Sequence, residues 1–212
     1  MTIAERLAAL RARIPPGVTL VAVSKTPAAA AIREAHAAGQ RDFGENYAQE
    51  WREKADALAD LPDLRWHFVG GLQTNKVKYL AGRVHLVHAV DREELARELS
   101  RRAGQKGAVA RVLLEVNTGG EATKGGCAPA DAPALAAAVR ALPSIDLRGL
   151  MCMPPPEDDP RPHFRLLRAL RDRLGLAELS MGMSADWEIA IEEGATIVRI
   201  GTAIFGERAR SR

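Results

Sequence analysis

The feature that most constrains the fold is a repeated alternation of short β-rich runs with longer segments rich in Ala, Leu, Arg and Glu. Eight of these runs end in a turn signal and are followed by apolar residues at helical spacing. Because each intervening helix returns the chain to the same end of the sheet, successive strands are expected to pair in parallel. The predicted strands are residues 19–23, 41–43, 66–69, 84–88, 112–117, 146–151, 179–181 and 196–200.

Eight repeated strand–helix units predict an α/β protein, a single (β/α)8 TIM barrel in which the sheet closes on itself and the helices form an outer layer. A helix precedes the first strand and no linker divides the chain, so one domain is expected over residues 1–212. An open doubly wound sheet is the alternative architecture, because it also alternates parallel strands with helices. The length of 212 residues lies near the lower end for a barrel, which predicts short loops.

The composition excludes several classes of protein. Lys and Arg number 30 against 27 Asp and Glu, and they form no stripe with aromatic residues, so nucleic acid is not an expected partner. Cys127 and Cys152 lack the spacing of a metal site and are expected to be free thiols in a reducing cytoplasm. No apolar run approaches the ~20 residues that span a bilayer, so a soluble cytoplasmic protein is expected.

Lys25 follows the first predicted strand and is the first candidate for binding chemistry. Strand alternation places Val21, Val23 and Lys25 on one face, with Lys25 at the carboxyl end, where a barrel presents its ligand sites. Apolar walls around an amine favour its neutral form, which can attack an aldehyde and form a Schiff base. A lysine at a strand end can also extend to solvent, and position alone favours that second interpretation.

The last two predicted strands are each followed by small and hydroxyl-bearing residues. Gly182, Met183 and Ser184 follow the seventh strand, and Gly201 and Thr202 follow the eighth. Glycine lets the backbone approach a ligand, hydroxyl groups donate hydrogen bonds, and amides at a helix start attract anions. Barrels frequently bind phosphate after strands seven and eight, so the two segments together predict a phosphate site. Taken singly, each is explained as well by capping, with Ser184 as an N-cap and Gly201 as a turn residue.

Arg199 lies within the eighth predicted strand, on the face opposite to Val198 and Ile200. A guanidinium inside a barrel requires a partner, because an unpaired buried charge is costly. The partner could be a ligand ring nitrogen beside the phosphate site or the carboxylate of Glu115 on the fifth strand. The residues alone do not decide between the two.

Further polar side chains lie within or after the second, third and fourth predicted strands. Asn46, His67 and Asn75 are expected to line the barrel mouth, where they could hydrogen-bond a ligand or, equally, the loop backbone. His85 and His88 are three residues apart, so strand alternation places them on opposite faces. A shared metal ion is therefore not expected, and no metal site is predicted.

Seven segments, in order along almost the whole chain, carry a resemblance to a known family. They are residues 21–26 (VAVSKT), 43–47 (FGENY), 66–70 (WHFVG), 72–76 (LQTNK), 148–151 (RGLM), 182–184 (GMS) and 198–206 (VRIGTAIFG). So many ordered matches are highly specific. The chain resembles the pyridoxal phosphate homeostasis protein family, whose barrel is similar to the N-terminal domain of alanine racemase.

The resemblance implies a binding mode for pyridoxal 5′-phosphate (PLP). In the family pattern, PLP is attached as a Schiff base, the internal aldimine, to the lysine that matches Lys25. The segments that match Ser184, Gly201 and Thr202 bind the phosphate, and the arginine that matches Arg199 lies near the pyridine nitrogen. Asn46 and Met183 complete the predicted cofactor-binding set. No catalytic residue is predicted.

The expected role follows from the arginine. An arginine stays protonated and can only donate to the pyridine nitrogen, which leaves the ring a poor electron sink. The resemblance therefore implies a non-catalytic, monomeric protein of intracellular PLP (vitamin B6) homeostasis, with PLP and PLP-dependent apoenzymes as partners. Two alternatives remain: a weak PLP-dependent amino-acid racemase that uses Lys25 as one base, and a barrel for another phosphorylated ligand in which Lys25 is a salt-bridge donor.

Two of the chain's departures from the family pattern concern the segment after the sixth strand and the phosphate segment. The segment between Met153 and residue 180 is shorter than usual, which predicts a trimmed helix after the sixth strand. Trp187 replaces a smaller or more flexible residue beside the phosphate segment. Both departures bear on the shape of the mouth and leave the expected attachment at Lys25 intact.

Overall fold

The computed structural model describes residues 1–25, 28–121 and 124–206 and shows a closed barrel of eight parallel strands in chain order. The strands are β1 Thr19–Val23, β2 Asp42–Glu45, β3 Arg65–Phe68, β4 Leu86–Val90, β5 Ala110–Glu115, β6 Ile145–Met151, β7 Glu178–Ser180 and β8 Ile197–Ile200. The barrel closes where β8 pairs with β1, from Thr19 opposite Ile197 to Ala22 opposite Ile200. We call the carboxyl ends of the strands the barrel mouth and their amino ends the barrel floor.

Helices surround the barrel: one precedes β1, one follows β8, and the others lie between successive strands. They are α1 Ile3–Arg11, α2 Ala29–Ala37, α3 Ala48–Ala57, α4 Val77–Leu80, α5 Glu93–Gln105, α6 Ala132–Arg140, α7 Pro160–Leu174, α8 Trp187–Glu192 and α9 Thr202–Phe205, and a 3-10 turn, Thr74–Lys76, precedes α4. The predicted (β/α)8 barrel, its leading helix and all eight strands are confirmed. The shortening relative to the family that the sequence predicts for the helix after β6 stays a prediction; this helix, α7, has 15 residues and is the longest of the described chain.

The ends of α7 show why the sequence forms this helix. Asp159 precedes it, and its carboxylate accepts the N–H of Arg161, while Pro160 fills the first turn, where its missing N–H costs nothing. Gly175 ends the helix in the left-handed region, at φ 60°.

The apolar core has two layers separated by the strands. The larger layer lies between the barrel and its helices and includes Phe43, Trp51 and Phe68. A fully buried side chain of this size contributes roughly 1.5–3 kcal/mol to the free energy of folding. The smaller layer lies in the barrel interior and consists of Val21, Leu86, Ala89, Leu113, Met151 and Ile197. Because the interior layer is small, polar side chains fill much of the remaining interior.

The described residues include no helix that is long and apolar enough to cross a membrane.

Candidate functional site

The seven residues of the predicted cofactor set lie in, or shortly after, four neighbouring strands of the closed barrel. They are Lys25, Asn46, Met183, Ser184, Arg199, Gly201 and Thr202. The first two follow β1 and β2, Met183 and Ser184 follow β7, and the last three lie in β8 or directly after it. Since β7, β8, β1 and β2 are adjacent and parallel, their carboxyl ends form one sector of the mouth.

Lys25 stands at the mouth on a firmly held segment. It lies two residues beyond the end of β1, and its side chain is half-buried. The preceding residue, Ser24, donates its hydroxyl to Glu45 Oε1 at 2.6 Å, and its carbonyl accepts a hydrogen bond from Lys54 Nζ. Lys54 also donates to Glu45 Oε1 at 2.8 Å. These bonds fix the peptide from which Lys25 projects.

Asn46 carries a buried polar atom that lacks a partner. Its Oδ1 is inaccessible to solvent and accepts no hydrogen bond within the described parts of the chain. The backbone is also crowded here, because a Cβ on Gly70 would lie 2.4 Å from the carbonyl oxygen of Asn46. An unsatisfied buried group costs about 1–3 kcal/mol. The amide at the end of β2 is therefore suited to a hydrogen bond with a bound molecule.

The turn after β7 does not use Ser184 as an N-cap, the alternative that the sequence left open. Helix α8 begins at Trp187, three residues beyond the predicted N-cap Ser184. The residue directly before the helix is Asp186, whose carboxylate accepts the N–H of Met183 at 2.6 Å. That bond occupies the Met183 amide. Ser184 is exposed. Gly182, at φ 91°, is required because a Cβ would lie 2.5 Å from Ala190 Cβ.

The turn after β8 brings the backbone close to β1. A Cβ on Gly201 would lie 3.0 Å from the carbonyl oxygen of Val23, two residues before Lys25. Gly201 directly precedes α9, and Thr202 is its exposed first residue. The Thr202 hydroxyl and the Lys25 amine therefore belong to adjacent segments of the mouth.

Arg199 is buried inside the barrel, with 4% of its surface exposed. Its Nη1 donates to Ser180 Oγ at 2.6 Å and its Nη2 to the carbonyl oxygen of Cys152 at 3.0 Å. These bonds use two of the five guanidinium N–H donors. No carboxylate of the described chain lies within 4.0 Å of the guanidinium, so the alternative of an ion pair with Glu115 is not observed.

Glu115 faces a cavity of about 500 Å³ beside the predicted set. Burial raises the pKa of Glu115 to about 7, the charge of Asp91 adds to the rise, and Arg199 opposes it. The cavity wall includes Met183 and the proline-rich segment that begins at Met153. No local pattern in the sequence marks this proline-rich segment as a wall of the mouth.

Two histidine predictions are wrong. His67 was expected at the mouth, but its ring lies inside the barrel, where it bonds Asp42 and His88. His85 and His88 were expected on opposite faces, yet their ring centroids lie 5.4 and 5.2 Å from that of His67. The reason is that β4 begins at Leu86, so strand alternation does not govern His85. Within the described ranges, no group of three His, Cys, Asp or Glu side chains could hold a metal ion.

Trp187 does not narrow the mouth through its side chain. It is 5% exposed and packs in the layer between barrel and helices. The guanidinium of Arg13 lies 5.0 Å from its ring centroid. The Trp187 ring therefore packs against the N-terminal segment.

The fold and the mouth define the class of protein. The family model described as "Alanine racemase, N-terminal domain" matches residues 1–209, so the chain is a barrel of this class. A relative from Pseudomonas aeruginosa, named pyridoxal phosphate homeostasis protein, is 51% identical over 98% of this chain and 96% of its own length. A relative of the same name from Aquifex aeolicus is 52% identical over 89% of this chain and 86% of its own length. This chain belongs to the pyridoxal phosphate homeostasis protein family.

Solved structures agree with this placement. PipY of Synechococcus elongatus, solved without PLP and with PLP bound, superimposes with TM-scores of 0.93 and 0.91. It is 44% identical, and the match covers 97% of this chain and 100% of PipY. Alanine racemase from Clostridium difficile reaches a TM-score of 0.78 at 14% identity and is covered over 58% of its length, so it shows the fold alone.

Proposed function

We propose that this protein binds PLP at the mouth sector formed by β7, β8, β1 and β2 and acts in PLP homeostasis. The observation that carries the proposal is the meeting, on four adjacent strands, of an amine, a buried guanidinium and exposed hydroxyls. These groups match the aldehyde, the ring nitrogen and the phosphate of PLP. Membership of the family and the 44% identity to PipY, solved with PLP bound, support the same ligand.

Each residue of the set has a separate role in this proposal. PLP supplies an electrophilic aldehyde, and Lys25 is the amine that attaches it covalently. The exposed hydroxyls of Ser184 and Thr202, with the close-lying backbone of Gly201, bind the phosphate. The Asn46 Oδ1 accepts a hydrogen bond from the bound molecule, which would satisfy this buried oxygen.

Two further members of the set contact the pyridine ring in this proposal. Arg199 donates an N–H to the ring nitrogen, and the exposed side chain of Met183 gives the ring an apolar contact. Because a guanidinium does not release its proton, the ring nitrogen stays unprotonated and withdraws electrons weakly. A role in holding and supplying PLP fits this chemistry better than turnover of amino acids. A monomeric, cytoplasmic protein that serves PLP-dependent apoenzymes belongs to the same proposal.

A weak racemase is the second candidate, and one observation favours it. Glu115, with its pKa raised to about 7, faces a cavity next to Met183 and could exchange a proton with a molecule bound there. Incubation of the PLP-loaded protein with L-alanine in deuterated water measures exchange at the α-carbon. Exchange that Glu115→Gln abolishes would support turnover, whereas no exchange above free PLP would support the non-catalytic role.

The test of the proposal is a titration of the protein with PLP, followed by absorbance and equilibrium dialysis. The native protein should develop the absorbance band of a covalent lysine adduct. Lys25→Ala should lose that band and keep weaker binding through the phosphate contacts. The matched control is Lys76→Ala, which removes an exposed lysine that follows β3 at the same mouth and should keep the band. Binding of inorganic phosphate without any PLP band would favour another phosphorylated ligand.

A further inference from the structure

A line of buried polar side chains crosses the interior of the barrel from mouth to floor. Its members, in spatial order, are Arg199, Ser180, His88, His67 and Asp42, and each is at most 7% exposed. The consecutive hydrogen-bond distances are 2.6, 2.8, 2.9 and 3.0 Å. The line draws on strands β8, β7, β4, β3 and β2, so only the closed barrel brings it together. We call it the interior chain.

The floor end of the interior chain is a carboxylate that can only accept hydrogen bonds. Arg65 donates to both oxygens of Asp42, at 2.8 and 2.5 Å, and His67 Nε2 lies 3.0 Å from Oδ1. Burial alone would raise the pKa of Asp42, but the hydrogen bonds from His67 and Arg65 outweigh it and lower the pKa to about 2. An ionised Asp42 requires a proton on Nε2 of His67.

The two ends of the interior chain together fix the direction of its bonds. The guanidinium of Arg199 can only donate, so Ser180 Oγ accepts from Nη1 and the Ser180 hydroxyl proton is donated to Nδ1 of His88. A neutral imidazole carries one N–H, so His88 holds its proton on Nε2 and donates it to Nδ1 of His67. Nδ1 of His67 then carries no proton, and its Nε2 donates to Asp42. Every donor meets one acceptor, and all bonds point from mouth to floor.

A second proton on His88 would break this pattern. Its Nδ1–H would compete with Arg199 for the lone pairs of Ser180, and the hydroxyl proton would lose its acceptor. Burial lowers the pKa of His88 well below its usual value, and the positive charge of Arg199 lowers it further. The neutral ring is therefore the stable form in the barrel.

We propose that Ser180 and His88 are positioning residues for Arg199, and that Asp42 at the opposite end of the barrel, together with Arg199, sets the direction of the chain that holds them. Ser180, kept as an acceptor, and the carbonyl of Cys152 orient the guanidinium and leave its other N–H donors for a ligand. The benefit for binding rests on the proposed PLP site. The positions of the protons on His67 and His88 do not depend on PLP, so they can be measured in the protein without PLP.

The first part of the test concerns the protein without PLP. Nitrogen-15 NMR of histidine-labelled protein shows which ring nitrogen of each histidine carries the proton. We expect both His67 and His88 to carry a proton on Nε2 and none on Nδ1. A protonated His88, or a proton on Nδ1 of either ring, would overturn the proposal. In Asp42→Asn the acceptor at the floor can turn into a donor, and we expect the His67 tautomer to become mixed.

The second part measures PLP affinity and adduct absorbance in Ser180 variants. Ser180→Ala should weaken PLP binding about tenfold, because Arg199 loses its oriented acceptor. Ser180→Thr keeps the hydroxyl and should bind more tightly than the alanine variant. Ser100→Ala is the matched control, since Ser100 is also buried and donates to a backbone carbonyl, that of Pro143, away from the interior chain. Equal PLP affinity in the native protein and Ser180→Ala would overturn the proposal.

A second pair of variants protects the test against a misfolded Ser180→Ala. His88→Phe removes the acceptor of the Ser180 hydroxyl and should also weaken PLP binding several-fold, while His85→Phe, beside the interior chain, should not. The covalent PLP adduct at Lys25 should still form in all these variants. If the native protein binds no PLP, the proposed function fails while the NMR result still decides the proton pattern. If PLP binds but the variants match the native affinity, only the positioning role fails.

Discussion

At the scale of single residues, the mouth combines groups that the rest of the fold leaves unsatisfied or exposed. The Oδ1 of Asn46 is buried without a partner in the described ranges, and the hydroxyl-bearing side chains of Ser184 and Thr202 face solvent. Arg199 is the opposite case, because two protein acceptors already hold it. Affinity for PLP should therefore respond to removal of a single hydroxyl without a loss of protein stability.

Thr202 gives the clearest test of that statement. Thr202→Val keeps the shape of an exposed side chain but deletes a donor to the phosphate, so the dissociation constant of PLP should rise about tenfold. Thr202→Ser keeps the hydroxyl and should bind PLP as the native protein does. Equilibrium dialysis measures both. An unchanged dissociation constant in the valine variant would remove Thr202 from the phosphate site.

Glu115 predicts a pH dependence of stability. Its folded-state pKa of about 7 lies above the ordinary value of 4.5, so the folded state holds the proton more tightly than the unfolded state. Its contribution to the free energy of unfolding is full below about pH 4.5 and falls as the pH rises to about 7, by up to about 3 kcal/mol. Glu115→Gln cannot ionise and should escape this loss.

Urea unfolding between pH 4.5 and 8 measures the effect. The difference in unfolding free energy between Glu115→Gln and the native protein should grow in favour of the variant as the pH rises. Glu53→Gln, which changes an exposed carboxylate on α3, should follow the native profile. Parallel profiles for Glu115→Gln and the native protein would show that Glu115 has an ordinary pKa.

At the scale of elements, β1, β2 and α3 are joined by one buried ion pair that also supports Lys25. The Lys54 side chain on α3 is 9% exposed and that of Glu45 on β2 is 0% exposed. Burial raises the pKa of Glu45, against the hydrogen bonds from Lys54 and Ser24. The pair thus holds a carboxylate in a place that disfavours its charge, and the removal of one partner is costly.

Lys54→Met tests this anchor. It should lower the free energy of unfolding by about 3 kcal/mol, because it leaves the Glu45 carboxylate buried without its ammonium partner. The double variant with Glu45→Gln should regain part of the loss, since the uncompensated charge is gone. Urea denaturation measures both. A loss below about 1 kcal/mol in the single variant would show that the pair does not anchor these elements.

At the scale of the whole molecule, the strands and their closure into a barrel could be predicted from the sequence more fully than the side-chain contacts inside the barrel. Alternation of apolar residues is local, so the eight strands, the barrel and the sector of Lys25 and Arg199 could be predicted. The interior chain depends on contacts such as His88 with Ser180, which are 92 residues apart, and on the place where β4 begins. Ser180 and Arg199 lie in the seventh and eighth predicted strands, which neighbour each other in a barrel. No local pattern indicated that the Ser180 hydroxyl accepts a hydrogen bond from the Arg199 guanidinium.

The central claim is that the carboxyl end of β1 holds PLP covalently through Lys25. The most direct measurement is borohydride reduction of the protein after incubation with stoichiometric PLP, followed by peptide mass mapping. A pyridoxyl label confined to Lys25 is the expected result, and Lys76→Ala should not change it. No label, or a label spread over exposed lysines, would contradict the account and leave a barrel that binds its phosphorylated ligand without a covalent bond.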